Sequence, residues 1–86
     1  MNDLVSRYDE LAAQEQAFFQ QIGTAELCLT AIVDYLFLYG DITSKLTVED
    51  IMMAVHQIEI DLRIEMLHLR LEKAFVACEL KKVQYH

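Results

Sequence analysis

The chain has no proline, no tryptophan and only two glycines, Gly23 and Gly40, in 86 residues. Without proline nothing interrupts long helices, and with so few turn formers a sheet has little on which to reverse its strands. Cysteine is as scarce. Cys28 and Cys78 lie among apolar residues with no Cys-x-x-Cys spacing, which excludes a disulfide framework and predicts buried, reduced thiols, a Cys28–Cys78 disulfide being open on parity alone. Neither has a basic neighbourhood that would activate it as a nucleophile. Bases are few and unevenly placed: residues 1–61 hold Arg7 and Lys45 against eleven acids, residues 62–86 five bases against three acids, and the net charge is −7. So acidic a chain is repelled by phosphate backbones, making nucleic acid a disfavoured partner. Only the tail bases Arg63, Arg70, Lys73, Lys81 and Lys82 offer a cationic strip, for nucleic acid or for an acidic protein surface. No glycine-rich phosphate loop, nucleophile elbow, zinc spacing or paired catalytic acids appear, so no catalytic, cofactor or metal residue is assigned and a non-enzymatic role is expected. The N-terminus carries no secretory signal pattern, which points to the cytoplasm.

Apolar residues are abundant instead. They make up 55% of the chain, and a chain this short hides only a little over ~60% of its unfolded surface. The surplus predicts self-association or a protein partner, with a compact, densely packed monomer as the plainer alternative. The most apolar stretch is Thr24–Tyr39, whose polar side chains after the first residue are Glu26, Thr30 and Asp34. Recurring every fourth position, they form one narrow wet stripe on a helix. Gly23 ahead of it, Thr24 as N-cap and Gly40 as a left-handed C-cap delimit a helix over 24–39. About 20 apolar residues span a bilayer. Sixteen residues that include Asp34 fall short, so the expectation is the central core helix of a soluble protein without membrane insertion.

Before it, Leu4, Tyr8, Leu11, Phe18 and Ile22 mark an amphipathic helix over about 3–22, with Glu15 as a polar gap, Asn2 or Ser6 with Asp9 as cap, and Gln14, Gln16, Gln20 and Gln21 as a solvated face. After it, residues 40–46 read as a polar loop, and Thr47 with Asp50 reads as the N-cap of a last helix over about 47–82. No glycine or proline follows, so that helix extends some 35 residues, roughly 50 Å.

The long helix is the most informative element. At 100° per residue Val48, Ile51, Val55, Ile58, Leu62, Met66, Leu69, Val76 and Leu80 fall on one side, and Met53, Ile60, Ile64, Leu67, Leu71, Phe75 and Cys78 on nearly the other. One intervening seam carries Asp50, Asp61, Glu65, His68, Glu72 and Glu79; the other carries His56, Glu59, Arg63, Arg70 and Lys81. Helices 1 and 2 can cover only one apolar side, so Ile60, Ile64, Leu67, Leu71 and Phe75 are the candidate interface with a second chain, for which a two-fold homodimer is the commonest solution. The expected fold is therefore all-α. A single domain over residues 1–86 holds three helices, two shorter and one long and C-terminal, which form a helical-bundle or coiled-coil-like homodimer.

Glu65 and His68 have the Glu-x-x-His spacing of di-metal four-helix proteins, but such sites need two copies and further carboxylates. A dimer would duplicate the motif; a solvated seam of ion pairs explains it more simply. His56 and His86 add no ligand spacing. Met52, Met53 and Met66 suit either core filling or an adaptable partner surface. Tyr35 and Tyr39 are expected at the bundle edge, hydroxyls in water.

The run Leu36-Phe-Leu-Tyr-Gly-Asp41 closing an apolar helix, the polar loop after it, and Ile51, Val55 and Ile58-Glu59 on the next helix resemble the YmgB/AriR-like small bacterial regulators, the two-component-system connector proteins. Phe18 and Phe19 fit the same pattern, and the likeness spans roughly residues 18–75. This chain departs from it in a longer loop after Asp41, a basic tail and its first helix. The resemblance implies an all-helical, non-enzymatic homodimer that regulates biofilm formation and acid resistance through contacts with signalling proteins, with DNA binding proposed for the family. No single functional residue carries over. The expectation from residues and resemblance together is a small regulatory adaptor working by protein–protein interaction. The alternatives are an acidic inhibitor, antitoxin or secretion-chaperone-like protein masking a basic target surface, and, further off, a di-metal helical protein using Glu65 and His68.

Overall fold

The computed structural model describes residues 3–84, with side chains over residues 3–83. It is all-helical and has two helices, not three: α1 (Asp3–Tyr39), a 3-10 turn (Gly40–Ile42) and α2 (Lys45–Gln84). They fold back antiparallel as one hairpin of 67 × 16 × 16 Å.

The separate helices expected at 3–22 and 24–39 are one. Gly23 lies inside α1 with no positive φ, and Thr24 is no cap, since its hydroxyl donates back to the Gln20 carbonyl at 3.0 Å. A glycine inside a helix costs about 1 kcal/mol relative to alanine. The burial of Ile22 and Ala25 on either side offsets this. Ser6 likewise sits within α1, while Asn2 as cap, and His86, lie outside the described residues.

At the far end Gly40 takes no left-handed conformation. The chain leaves α1 through the 3-10 turn, in which Thr43 N–H donates to the Gly40 carbonyl and the Thr43 hydroxyl to the Tyr39 carbonyl at 2.5 Å. Extended Thr43 then sets up α2. Its N-cap is Ser44, not Thr47: Ser44 Oγ accepts the Thr47 backbone N–H at 3.3 Å and donates to Thr47 Oγ1 at 2.9 Å. Thr47 is the third residue of the helix, where the capping bond ends.

The packed face of each helix follows an alternation of four and three, with Arg7, Ala12, Gly23 and Ile60 half-buried beside it. On α1 the buried and half-buried positions run Leu4, Tyr8, Leu11, Glu15, Phe18, Ile22 and onward in that step to Leu36; on α2 they run Val48, Met52, Val55, Glu59, Leu62, Met66 and onward to Leu80, including Lys73. This is the seam of an antiparallel coiled coil. Glu15, a gap in the apolar pattern, is a member of the seam. Ile51 and Ile58, assigned to the packed side, are exposed, and Met52, Glu59 and Lys73 take part in their place. A straight 100° wheel drifts ~20° per heptad from a seam of period 3.5, which explains the misplacement.

One seam gives a thin core. Among the described residues Leu11, Ile22, Ala25 and Met66 are buried. The radius of gyration is 19.4 Å where a compact chain of this length has roughly 12 Å. The accessible surface is 6691 Å² where a compact protein of 10.0 kDa exposes roughly 5,200 Å².

Candidate interaction surface

Thr24–Tyr39, expected as the covered core helix, is exposed along most of its length. Its wet stripe of Glu26, Thr30 and Asp34 is exposed, but so are Leu27, Val33, Leu38 and Phe37, the last at 89%. With Ile42 and Leu46 beyond the turn, they leave large apolar side chains exposed at the closed end of the hairpin. Tyr35 and Tyr39 lie at this edge with ring centroids 5.1 Å apart, both exposed as expected. Between the helices here opens a cleft of about 470 Å³, lined by Ala31, Ile32, Val48 and Ile51 together with Tyr35 and Thr47. The carboxylates Asp34, Asp41, Glu49 and Asp50 surround this end, with Lys45 the one base among them.

The second surface is the side of α2 turned from α1. Of the candidate interface residues, Ile64, Leu67, Leu71 and Phe75 are between 47% and 66% exposed, as is Met53; Ile60 is half-buried. The hairpin leaves this stripe uncovered. It too obeys the four-three step, through Met53, Gln57, Ile60, Ile64, Leu67, Leu71, Ala74 and Cys78. The hairpin-tip residues Phe37, Leu38, Ile42 and Leu46 were not assigned to an interface from sequence. The signal for them is the Leu36–Tyr39 run, four consecutive apolar or aromatic residues that one neighbour cannot cover.

Charges tie the open half of the hairpin together. Glu15 accepts hydrogen bonds from Lys73 Nζ and, at 2.6 Å, from Arg70 Nε. These donors hold its carboxyl below the usual carboxylate range, Lys73 contributing most, and the Lys73 ammonium is correspondingly raised by its bond to Glu15. Lys73 Nζ also stands 5.7 Å from the Tyr8 ring centroid, within cation–π range. Arg7 pairs with Glu72 across the helices, which raises the guanidinium's already high value. Arg63 bridges Glu26 of α1 and Glu59 of its own helix. Arg63, Arg70 and Lys73 of the C-terminal segment thus serve acids of their own chain.

Cys28 and Cys78, expected to be buried, are free and exposed, Cys28 lining an open groove with Val55, Ile58 and Leu62 of α2. Glu65 and His68 are both exposed, and among the described residues no three or more His, Cys, Asp or Glu side chains cluster as metal ligands. The acidic seam makes local bonds instead: Gln57 Nε2 donates to Asp61 Oδ1 at 3.0 Å.

By length and composition, the stretch Asp3–Ile42, α1 with its 3-10 turn, contains an 18-residue window apolar enough to cross a membrane, and 11% of that window is buried. In comparisons with protein-family models, curated proteins and solved structures, no match to this chain was found.

Proposed function

We propose that the chain is a small, non-enzymatic regulatory adaptor that works as a homodimer by protein–protein interaction. The partner site is the closed end of the hairpin. The observation that carries this reading is the exposure of Phe37, Leu38, Ile42 and Leu46 together at one end of a rod. Large apolar side chains in one exposed patch mark interaction sites, and the cleft beside Ile32 and Val48 can receive a partner's side chain. Asp34, Asp41, Glu49 and Asp50 around the patch select a partner whose apolar groove has a basic rim. The likeness of residues 18–75 to the YmgB/AriR-like regulators supports a regulatory setting in bacterial biofilm or acid-stress signalling. The acidic rim supports equally well a role as an inhibitor covering a basic surface on its target, which is the same contact with a different consequence.

The test is capture from the native host followed by mass-spectrometric identification, with wild type set beside a Phe37→Glu/Leu38→Glu variant shown by circular dichroism to stay helical. The expected result is one protein retained by wild type and lost with the variant. Identical protein sets from both would refute the tip as the partner site.

A second reading follows from the apolar window in α1, namely that this helix spans a bilayer. Against it, Glu26 and Asp34 lie within the apolar stretch, and an acid at mid-bilayer costs about 2.5–3.5 kcal/mol on the insertion scale. Flotation with phosphatidylcholine vesicles separates the two: the adaptor remains in the aqueous fraction and a spanning protein floats.

A further inference from the structure

The outer stripe of α2 is a second heptad seam, and its residues are arranged as mirror partners about one point. Midway between Ile64 and Leu67 the sequence pairs outward as Ile64 with Leu67, Ile60 with Leu71, Gln57 with Ala74, Met53 with Cys78 and, at the ends, Asp50 with Lys81. We infer that a second copy of this chain docks on this seam antiparallel, α2 against α2, with the two-fold axis passing between Ile64 and Leu67. The inference rests on the reading of the chain as a self-associating adaptor and adds the surface, the orientation and the register.

Three observations carry it. The first is periodicity: the step of four and three holds from Met53 to Cys78 without a phase change, so the stripe stays aligned with a partner helix over roughly 37 Å.

The second is charge. Residues 45–61 of α2 hold Lys45 against four acids, and residues 62–84 hold five bases against three acids. Antiparallel docking sets the acidic half of each α2 on the basic half of the other and brings Asp50 to Lys81 at both ends. Parallel docking sets Asp50 on Asp50 and Lys81 on Lys81. On one flank the antiparallel register places Asp61 beside His68 of the second copy. On the other it brings Arg63 near Arg70 of the second copy, a contact between like charges that is offset by the two acids on Arg63, Glu26 and Glu59, while Arg70 shares Glu15 with Lys73. The antiparallel arrangement also opposes the two helix dipoles.

The third is area. The hairpin exposes 6691 Å², roughly 1,500 Å² more than a compact protein of its mass, and a standard interface removes ~800 Å² from each partner. Loss of that amount from the outer seam brings each copy much nearer the compact value. The antiparallel dimer also sends the two hairpin tips to opposite ends of a four-helix rod, so both partner sites stay open.

The test is disulfide trapping. In a Cys28→Ser background, Cys78 is the only thiol; in the antiparallel dimer the two copies of residue 78 lie about 37 Å apart, and diamide is expected to give no covalent dimer. Adding Met53→Cys to that background is expected to give a covalent dimer of twice the 10.0 kDa chain mass, with tryptic peptides linking position 53 to Cys78. Those positions are equally remote within one helix, so the link can only be between chains. Efficient Cys78–Cys78 or 53–53 trapping would overturn the orientation. Light scattering of the unmodified chain at micromolar concentration is expected to give a dimer, and Leu67→Glu/Leu71→Glu a monomer of unchanged helicity. A monomeric unmodified chain, or a dimer untouched by that double substitution, would overturn the seam as the interface. The partner site at the tip is judged separately, by the Phe37→Glu/Leu38→Glu comparison.

Discussion

Replacing Gly23 by alanine tests the continuity of α1. Gly23 is an interior helical position with negative φ, and a Cβ placed there meets no atom within 4 Å. Nothing in the fold uses the missing side chain, neither a left-handed turn nor a close helix–helix approach. Alanine therefore keeps every native interaction, lowers the conformational entropy of the unfolded chain and removes glycine's intrinsic penalty, stabilising by about 0.5–1 kcal/mol. For a domain of this size that raises the melting temperature by roughly 2–8 °C. The assay is thermal and urea unfolding followed by far-ultraviolet circular dichroism, at one fixed protein concentration because association shifts the midpoint. The urea slope should not change. A chain with helices ending at Ile22 and restarting at Thr24 behaves in the opposite way. There Gly23 supplies the break, alanine strains it, and the midpoint falls; a fall would refute the single 37-residue helix and with it the geometry of the tip.

Four further substitutions probe other links. Ser44→Ala removes the acceptor of the Thr47 N–H and should destabilise by about 0.5–2 kcal/mol, whereas Thr47→Ala, which keeps that N–H, should cost less; urea midpoints rank the two. Leu11→Ala, at the most deeply buried side chain described, should cost about 2–5 kcal/mol, a large part of the stability of so thin a core. Glu15→Gln should flatten the pH dependence of unfolding. The folded-state pKa of Glu15 is depressed, so its contribution is present above the ordinary carboxylate range and lost as pH falls through the folded value; that of Lys73 is raised, so its share persists up to the ordinary lysine range and is lost as pH rises through the folded value. The urea midpoints of wild type and Glu15→Gln should therefore differ most near neutrality and converge as acid protonates Glu15. A constant gap down to strong acid would mean that the carboxylate's charge contributes nothing.

Much of the architecture was legible from residue type and spacing. The lack of proline and the apolar periodicity indicated helices throughout, the α1 stripe from Leu4 to Ile22 is the face that meets α2, and the candidate interface from Ile64 to Phe75 is the side that α1 leaves bare. What misled was punctuation. Gly23 and Thr24 look like a boundary because glycine and threonine often serve as one, yet the four-three step passes from Ile22 to Ala25 to Leu29 in phase, and a real break would have shifted it. Ser44 and Thr47 are both acceptable caps by residue type, and only the bond from the Thr47 N–H to Ser44 distinguishes them. The thiols were misplaced for a related reason: apolar neighbours in sequence imply burial only when the fold has enough faces to cover them, and a two-helix hairpin has one.

The placement of charge separates the two seams of α2. Aliphatic seams alone tolerate a slip of one heptad, since leucine meets leucine in either register. The inner seam does not. A slip of seven residues carries Lys73 about 10 Å along the axis, away from Glu15, and leaves both charges in half-buried positions without a counter-charge. Glu15 and Lys73 thus exchange some apolar area for a unique hairpin register. The outer seam has no charged member between Met53 and Cys78, only Gln57, and in the proposed dimer its register rests on Asp50 and Lys81 at its exposed ends. Exposed pairs are weak and screened by salt. The register of the hairpin should therefore respond little to salt, while that of the proposed dimer should be set more tightly in dilute salt than in concentrated salt.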